Sequence, residues 1–190
     1  MKNYNHQINE IFQESSQVIL HSKKLSNEIS TMIKLIIKSL QRGNKIIIFG
    51  NGGSATDAQH MAAEFIGRFM KDRKSFPAIA LTADSSIITA IGNDYSFEKI
   101  FSRQLESLVK KNDVIIAIST SGKSKNIIHG INTGKKLDAK IISLTGNFTS
   151  EMKKSSDIII SVPSSITSRI QEAHRTIIHI ICQIVEQELT

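Results

Sequence analysis

Five short apolar runs, separated by segments of helical character, most constrain the fold of this chain. The runs are KIIIFG (45–50), PAIAL (77–81), DVIIAIS (113–119), KIISL (140–144) and DIIISV (157–162). Continuous apolar runs of this length are typical of strands buried on both faces, as in a parallel sheet. The intervening helical segments span about 54–66, 97–110, 123–136 and 148–155. This alternation predicts an α/β fold with a doubly wound, five-stranded parallel sheet.

Further helices are predicted at the two ends of the chain. Residues 4–22 and 25–42 carry apolar side chains at helical spacing, and Gly43 ends the second segment. A long, isoleucine-rich helix is predicted over about 166–188. We interpret residues 1–44 as an N-terminal helical pair packed on an α/β domain of residues 45–190, which gives a single domain overall.

Composition narrows the class of protein. The chain has 190 residues and a formal net charge of +7. A solvated basic surface is the favoured interpretation, an anionic substrate comes next, and nucleic acid comes last because the basic residues are scattered and aromatics are few. No apolar run approaches the ~20 residues of a membrane helix, and the N-terminus lacks the apolar core of a secretory signal. The single cysteine, Cys182, is expected to be buried in a reducing cytosol, so we expect a cytoplasmic protein without a membrane partner.

Two loops after strands carry the residues that suggest chemistry. Ligands of doubly wound sheets bind beyond the carboxyl ends of the strands. The loop STSGKS (119–124) offers four hydroxyls, those of Ser119, Thr120, Ser121 and Ser124, beside a helix start. Such a loop could simply cap the helix, but one or two hydroxyls would serve that purpose. The loop therefore favours a phosphate site.

The loop GNGGSA (50–55) follows the first strand. It has neither the ending of a Walker loop nor the spacing of the dinucleotide fingerprint, so a nucleotide is the weaker hypothesis. Gly52 and Gly53 let the backbone approach a ligand, and Asn51 and Ser54 can hydrogen-bond sugar hydroxyls. A tight strand-to-helix turn explains the same residues equally well.

Histidine and carboxylate side chains lie further along the chain. His60 and Glu64 are four residues apart and share a helix face, so they could bind a metal, act as acid and base, or form an exposed contact. Spacing alone favours the exposed contact. His179 lies between two isoleucines and is by default a core histidine. Gln171 precedes it by eight residues, about 12 Å along a helix. A metal shared by these two side chains would need both at full reach or a ligand from another subunit, which favours a site at a subunit interface.

Taken together, the motifs resemble a known family. GNGGSATDAQHMAAEFIGRF, PAIALTADSSIITAIGNDYSFEKIFSRQ, AISTSGKSKNI and RIQEAHRTIIHI are similar to those of the phosphoheptose (sedoheptulose-7-phosphate) isomerases of the sugar isomerase (SIS) domain family. The similarity extends over nearly the whole chain. It implies a flavodoxin-like SIS fold and a homotetramer with active sites at subunit interfaces, in which the N-terminal helical pair takes part.

The resemblance also implies an activity and a set of site residues. Sedoheptulose 7-phosphate would be converted to D-glycero-D-manno-heptose 7-phosphate, the first step towards the heptose of lipopolysaccharide or other surface glycans. One zinc ion per subunit would be held by His60, Glu64, Gln171 and His179. Glu64 would be the base of an enediol mechanism and His179 the acid or its helper. The substrate contacts would be Asn51, Gly52, Gly53, Ser54, Glu64, Arg68, Asn93, Asp94, Ser119, Thr120, Ser121, Ser124 and Gln171.

Other functions remain open at this point. A relative of the same fold binds the replication initiator DnaA and is not an isomerase, but it lacks counterparts of Glu64 and His179. A phosphosugar sensor and an isomerase of five- or six-carbon sugar phosphates are further alternatives. Some family members carry an acidic residue at the position of Ser168, so any acidic contribution there is missing from this chain.

Overall fold

The computed structural model describes residues 3–147 and 151–190, and its centre is a five-stranded parallel sheet. The strands are β1 Ile46–Gly50, β2 Ala78–Ala80, β3 Val114–Ser119, β4 Lys140–Thr145 and β5 Ile158–Ser161. Their order in the sheet is β2-β1-β3-β4-β5. Strands β1 and β3 pair in register from Ile46 opposite Val114 to Gly50 opposite Ile118. The predicted doubly wound parallel sheet is confirmed.

Eight α-helices are described. They are α1 Asn5–His21, α2 Ser26–Gln41, α3 Gly53–Ile66, α4 Ser85–Asp94, α5 Ser102–Leu108, α6 Lys125–Lys136, α7 Met152–Ser155 and α8 Thr167–Leu189. Short 3₁₀ turns at Ser22–Leu25 and Phe97–Lys99 precede α2 and α5. The predicted helix 148–155 begins at residues outside the described part, and its described portion is α7.

Helix α4 departs from the prediction, which had no helix at this position. Asp84 caps it by accepting a hydrogen bond from the Ile87 N–H at 3.0 Å. The helix has no buried residue, and its sequence SSIITAIGND combines β-branched residues with glycine. Such residues have weak helix propensity, so local pattern gave no signal for α4. The predicted helix 97–110 is instead a 3₁₀ turn followed by the shorter α5.

Alternate residues of the strands face two separate cores. One core lies between the sheet and α2, α3 and α8, and it takes Ile46 and Ile48 from β1. The other lies between the sheet and α5, α6 and α7, and it takes Ile47 and Phe49 from β1. Because α3 and α8 cover the same face, side chains more than a hundred residues apart in the chain meet between these two helices.

Polar contacts join α1 to the first turns of α8. The Arg169 guanidinium, largely buried, donates to the Ile11 carbonyl at 2.9 Å and pairs with Glu172 at 3.1 Å. The Ser15 hydroxyl donates to Glu172 at 2.6 Å. No residue of α1 is buried. In the part of the chain that the structure describes, no helix combines the length and hydropathy required to cross a membrane.

Candidate active site

The carboxyl ends of β1 and β3 form the switch point of the sheet. These strands are neighbours, but β1 leads into α3 on one face and β3 leads into α6 on the other. A crevice opens where two such connections diverge, and this is where sheets of order 2-1-3-4-5 bind ligands. The two loops predicted to carry the chemistry therefore lie side by side at this edge.

The loop 119–124 keeps hydroxyl groups at the start of α6. The Ser119 and Ser124 hydroxyl oxygens are 3.4 Å apart, and the Ser119 oxygen also accepts from the Gly122 N–H at 3.2 Å. Gly122 has a φ of +64°, which favours glycine. Ser124 occupies the N-cap of α6 but makes no side-chain capping hydrogen bond. Its hydroxyl is therefore not used as a cap, and this arrangement suits an anion at the positive end of the helix.

The loop after β1 is joined to α6 by a pair of amides. The Asn51 side-chain Nδ2 donates to Asn126 Oδ1 at 2.9 Å, and Asn126 Nδ2 donates to Asn51 Oδ1 at 2.8 Å. Asn126 is buried and its oxygen also accepts from the Ile127 N–H. Sequence reasoning missed Asn126, although a polar residue on the inward face of α6 was a signal available in the sequence. The pair fixes the two loops relative to each other.

Glycines in this loop allow a close approach by α8. Gly52 has a φ of +54°, a conformation that other residues rarely adopt. A Cβ atom at Gly53 would lie 2.4 Å from the Gln171 amide nitrogen, so the absence of a side chain leaves room for Gln171. Ser54 is buried, and its Cβ lies against the position a Cβ of Gly50 would take. Its predicted sugar contact stays a prediction.

His60, Glu64 and His179 meet where α3 packs on α8. The Nε2 atoms of His60 and His179 are 2.8 Å apart, and Glu64 Oε1 is 3.5 Å from His60 Nε2. The two rings have centroids 5.1 Å apart, and the Phe69 ring lies 5.7 Å from the His179 ring. His179 is thus not an isolated core histidine, and the His60–Glu64 pair is not a simple surface contact. The three side chains form what we call the His–Glu–His cluster.

The donor types of the His–Glu–His cluster are those of a zinc site. Imidazole nitrogens and a carboxylate oxygen bind Zn²⁺ at about 2.0–2.2 Å, which sets two tetrahedral ligands at about 3.3 Å from each other. The two Nε2 atoms stand closer than that, as a hydrogen-bonded pair. Within residues 3–147 and 151–190, no three His, Cys, Asp or Glu side chains already have the arrangement of a metal centre. The residues fit zinc by chemistry, and small side-chain rotations would be needed to accommodate it.

Gln171 lies apart from this cluster within one chain. Its amide contacts Gly53, which precedes His60 by seven residues, or about 10 Å along α3. There it borders a cavity of about 310 Å³ that is also lined by Asp57 and Arg175. A single chain thus brings together three of the four predicted metal ligands, and the predicted role of Gln171 stays a prediction.

The other predicted substrate residues lie outside the cluster. Asn93 and Asp94 are exposed at the end of α4, where the Asn93 amide donates to Asp94 at 2.9 Å. Arg68 is exposed in the segment after α3. The contacts described for one chain do not join these three residues to His60 or His179, so their substrate roles stay predictions.

Two buried titratable residues of α8 belong to the core. Burial lowers the pKa of His174 to about 4, although its hydrogen bond to the Thr145 carbonyl acts in the opposite direction. Burial also raises the pKa of Cys182 to about 12. Both are almost inaccessible to solvent. His174 is therefore neutral at neutral pH, and Cys182 is an unreactive thiol in the position expected for it.

An ion pair between Arg73 and Glu186 was also missed by sequence reasoning. Both side chains are buried and their charged atoms are 3.0 Å apart. The two residues are 113 positions apart in the chain. No local pattern links residues so distant, and the only signal was a glutamate within the apolar face of the last helix.

Comparison with known proteins adds independent support. The SIS domain family model matches residues 3–146. A phosphoheptose isomerase of Sulfurimonas denitrificans is 47% identical over 190 residues, which cover 100% of this chain and 97% of that protein. Solved structures of phosphoheptose isomerases are similar throughout. The one from Francisella tularensis has a TM-score of 0.94 and 34% identity over 98% of this chain and 100% of its own. The one from Neisseria gonorrhoeae has a TM-score of 0.92 and 36% identity over 97% and 100%.

Proposed function

Because this chain belongs to the SIS domain family and, within it, to the phosphoheptose isomerases, we propose that it interconverts sedoheptulose 7-phosphate and D-glycero-D-manno-heptose 7-phosphate. It is an aldose–ketose isomerase. The single observation that links the proposal to particular residues is that His60 contacts both Glu64 and His179 where α3 packs on α8. A base and a proton carrier close together are what an enediol mechanism needs.

The phosphate end of the substrate would bind the loop 119–124. Its hydroxyls and the N-terminal N–H groups of α6 supply donors without a full charge. Binding energy gained at this end positions the reacting carbons at the other end of the sugar. The Asn51–Asn126 pair would hold the two loops at a fixed separation during this step.

Glu64 and His179 would move the protons. The Glu64 carboxylate takes the proton from carbon 1 of the ketose and returns it to carbon 2. His179 carries a proton between the oxygens on these two carbons, so the enediol forms and collapses without net gain or loss of protons. His60, within reach of both side chains, orients them.

His60, Glu64 and His179 would hold a zinc ion, with Gln171 as the fourth ligand, one ion per subunit. When bound, zinc would polarise the carbonyl oxygen and stabilise negative charge on it. Glu64 then has two tasks, as ligand and as base. These tasks are compatible if one carboxylate oxygen serves each of them. Because Gln171 lies against Gly53 in its own chain, a second copy could supply this ligand.

A homotetramer with interfacial active sites is part of the proposal. Ile8, Ile11 and Phe12 of α1 are exposed apolar side chains. An apolar groove of about 620 Å³ runs between α2 and α8, with Ile33 and Ile184 among its lining. Exposed apolar side chains and an apolar groove are features of surfaces that contact other subunits, and they support this part of the proposal. Light scattering of the purified protein, which gives the mass in solution, tests this part.

The cellular role follows from the product. We place the enzyme in the cytoplasm at the first step of heptose synthesis for lipopolysaccharide or another surface glycan. The alternative, a non-catalytic tetramer that binds DnaA, is not favoured, because the relatives are phosphoheptose isomerases and Glu64 and His179 both contact His60. No nucleic acid or membrane partner is proposed.

The deciding experiment is an isomerase assay with sedoheptulose 7-phosphate, run with and without a chelator and accompanied by metal analysis. We expect turnover that the chelator removes and added zinc restores. Turnover of five- and six-carbon ketose phosphates is measured in parallel, because these sugars are the alternative substrates. Absence of turnover on sedoheptulose 7-phosphate with zinc present, or faster turnover on a shorter sugar, would refute the proposed substrate.

A further inference from the structure

Glu186, near the end of α8, binds a segment of backbone that follows α3. Its carboxylate accepts hydrogen bonds from the N–H groups of Phe69, Met70 and Lys71 at 3.0, 2.8 and 2.9 Å, and from Arg73 Nε at 3.0 Å. Glu186 is 1% exposed. Burial alone would raise the pKa of its carboxyl, but these donors outweigh it and lower the pKa. A buried carboxylate with a full set of donors fixes the segment that supplies them.

Arg73 extends the same network to the last turn of α3. Its two terminal nitrogens donate to the carbonyls of Glu64 at 2.8 Å and Phe65 at 2.9 Å. The guanidinium also lies 4.0 Å from the centre of the Phe76 ring. Carbonyls in the last turn of a helix have no partner within the helix. Arg73 therefore holds the backbone of the residue that carries the proposed catalytic carboxylate.

The network reaches His179 by two routes. Glu186 lies seven residues after His179 on α8, two turns along the same face. In addition, the Phe69 backbone is bound by Glu186 while the Phe69 ring packs against the His179 ring. The helix end that carries Glu64 and the aromatic wall beside His179 are thus tied to one buried carboxylate.

We propose that the Glu186–Arg73 pair is a positioning device for the isomerase site, which sets the distance between the Glu64 carboxylate and the His179 imidazole. The proposal rests on the roles proposed above for these two side chains. It concerns neither the phosphate loop nor substrate capture, because residues 119–124 lie at the end of β3 and share no described hydrogen bond with the pair. Loss of the pair should therefore reduce kcat and leave KM for sedoheptulose 7-phosphate nearly unchanged.

The primary variant is Glu186→Gln, assayed with saturating zinc at a temperature where circular dichroism shows it folded. A glutamine has the same shape but presents an N–H group to donors, so the segment 69–73 loses part of its anchorage. Displacements of about 1 Å in a catalytic geometry can cost about 100-fold in rate, and we expect kcat to fall by about 10- to 100-fold. Arg73→Lys keeps the charge but cannot hold both α3 carbonyls, so its kcat should also fall. It replaces Glu186→Gln as the test variant if Glu186→Gln does not fold.

Asp113 provides a matched control. It is also a 1% exposed carboxylate, which accepts from the N–H groups of Lys45 at 3.0 Å and Lys110 at 2.7 Å and pairs with the Lys45 ammonium. It lies at the amino ends of β1 and β3, and its described hydrogen bonds and ion pair involve neither Glu64 and His179 nor the Glu186–Arg73 pair. Asp113→Asn should lower the melting temperature as Glu186→Gln does, but should retain wild-type kcat.

The outcomes separate this proposal from the proposed function. A loss of kcat at constant KM in Glu186→Gln and Arg73→Lys, without loss in Asp113→Asn, supports positioning. Wild-type kcat in folded Glu186→Gln or Arg73→Lys, while Glu64→Gln is inactive, overturns positioning alone. An equal loss in Asp113→Asn also overturns it, since general destabilisation then explains the effect. An active Glu64→Gln overturns both the role of Glu64 and the positioning built on it.

Discussion

His174 makes this protein sensitive to mild acid in a way that can be isolated. The His174 side chain lies in the core between α8 and the sheet and is 0% exposed. Its Nε2 lies 3.3 Å from the Thr145 carbonyl oxygen, and its Nδ1 has no hydrogen-bond partner among the described residues. Burial lowers its pKa from 6.5 to about 4. His174 therefore binds a proton at a lower pH in the folded state than in the unfolded chain.

The sign and the size of the effect follow from these two pKa values. Well above pH 6.5 neither state binds the proton, so this contribution to stability is fully present. As the pH falls from 6.5 towards 4, only the unfolded state becomes protonated, and the free energy of unfolding decreases. The whole interval corresponds to about 3 kcal/mol, and the part between about pH 7.5 and about pH 5 corresponds to about 2 kcal/mol.

The perturbation is His174→Gln, which nearly keeps the volume and keeps a donor for Thr145 but does not titrate. Urea unfolding at about pH 7.5 and about pH 5, at one protein concentration and with chelator present, gives the free energy of unfolding for wild type and variant. The wild type should lose about 2 kcal/mol more than the variant over this interval. His129→Gln, which replaces an exposed histidine of α6, is the control and should follow the wild type. Equal losses in wild type and His174→Gln would refute the reasoning.

The site provides four further predictions. Glu64→Gln should keep the fold by circular dichroism and lose at least about 100-fold in kcat as the base is removed; near-normal turnover would exclude Glu64 as the base. His179→Ala should lose both zinc, by metal analysis, and rate, and full zinc occupancy would remove His179 from the ligand set. Asn126→Ala should raise KM for the sugar phosphate and lower stability by about 1–3 kcal/mol, because the Asn51 amide and the Ile127 N–H lose a buried partner; unchanged KM and urea midpoint would contradict this. Gly53→Ala should displace Gln171 and reduce kcat with little change in melting temperature, because the new Cβ meets only a flexible side chain; wild-type kcat would show that the Gln171 position is not needed.

The sequence by itself determined the sheet and the loops at its edge. Runs such as DVIIAIS and KIISL are typical of strands covered on both faces, and each became a strand of the parallel sheet. The hydroxyl-rich loop 119–124 and the glycine loop 50–55 follow strands, so their place at the carboxyl edge required no knowledge of strand order. Helix α4 was missed because β-branched residues and a glycine give a weak local signal. It is held by its cap and by Ile88 and Ile91, which are partly buried against the core.

The tertiary structure decided which distant residues meet. His60 and His179 are 119 residues apart, and their contact exists because α3 and α8 pack on the same face of the sheet. The Arg73–Glu186 pair arises from the same packing. Sequence patterns report local backbone preference and the face that a residue buries, which depend on nearest neighbours. Contacts across the sheet depend instead on strand order and on the side to which each connection crosses, and those are properties of the folded chain as a whole.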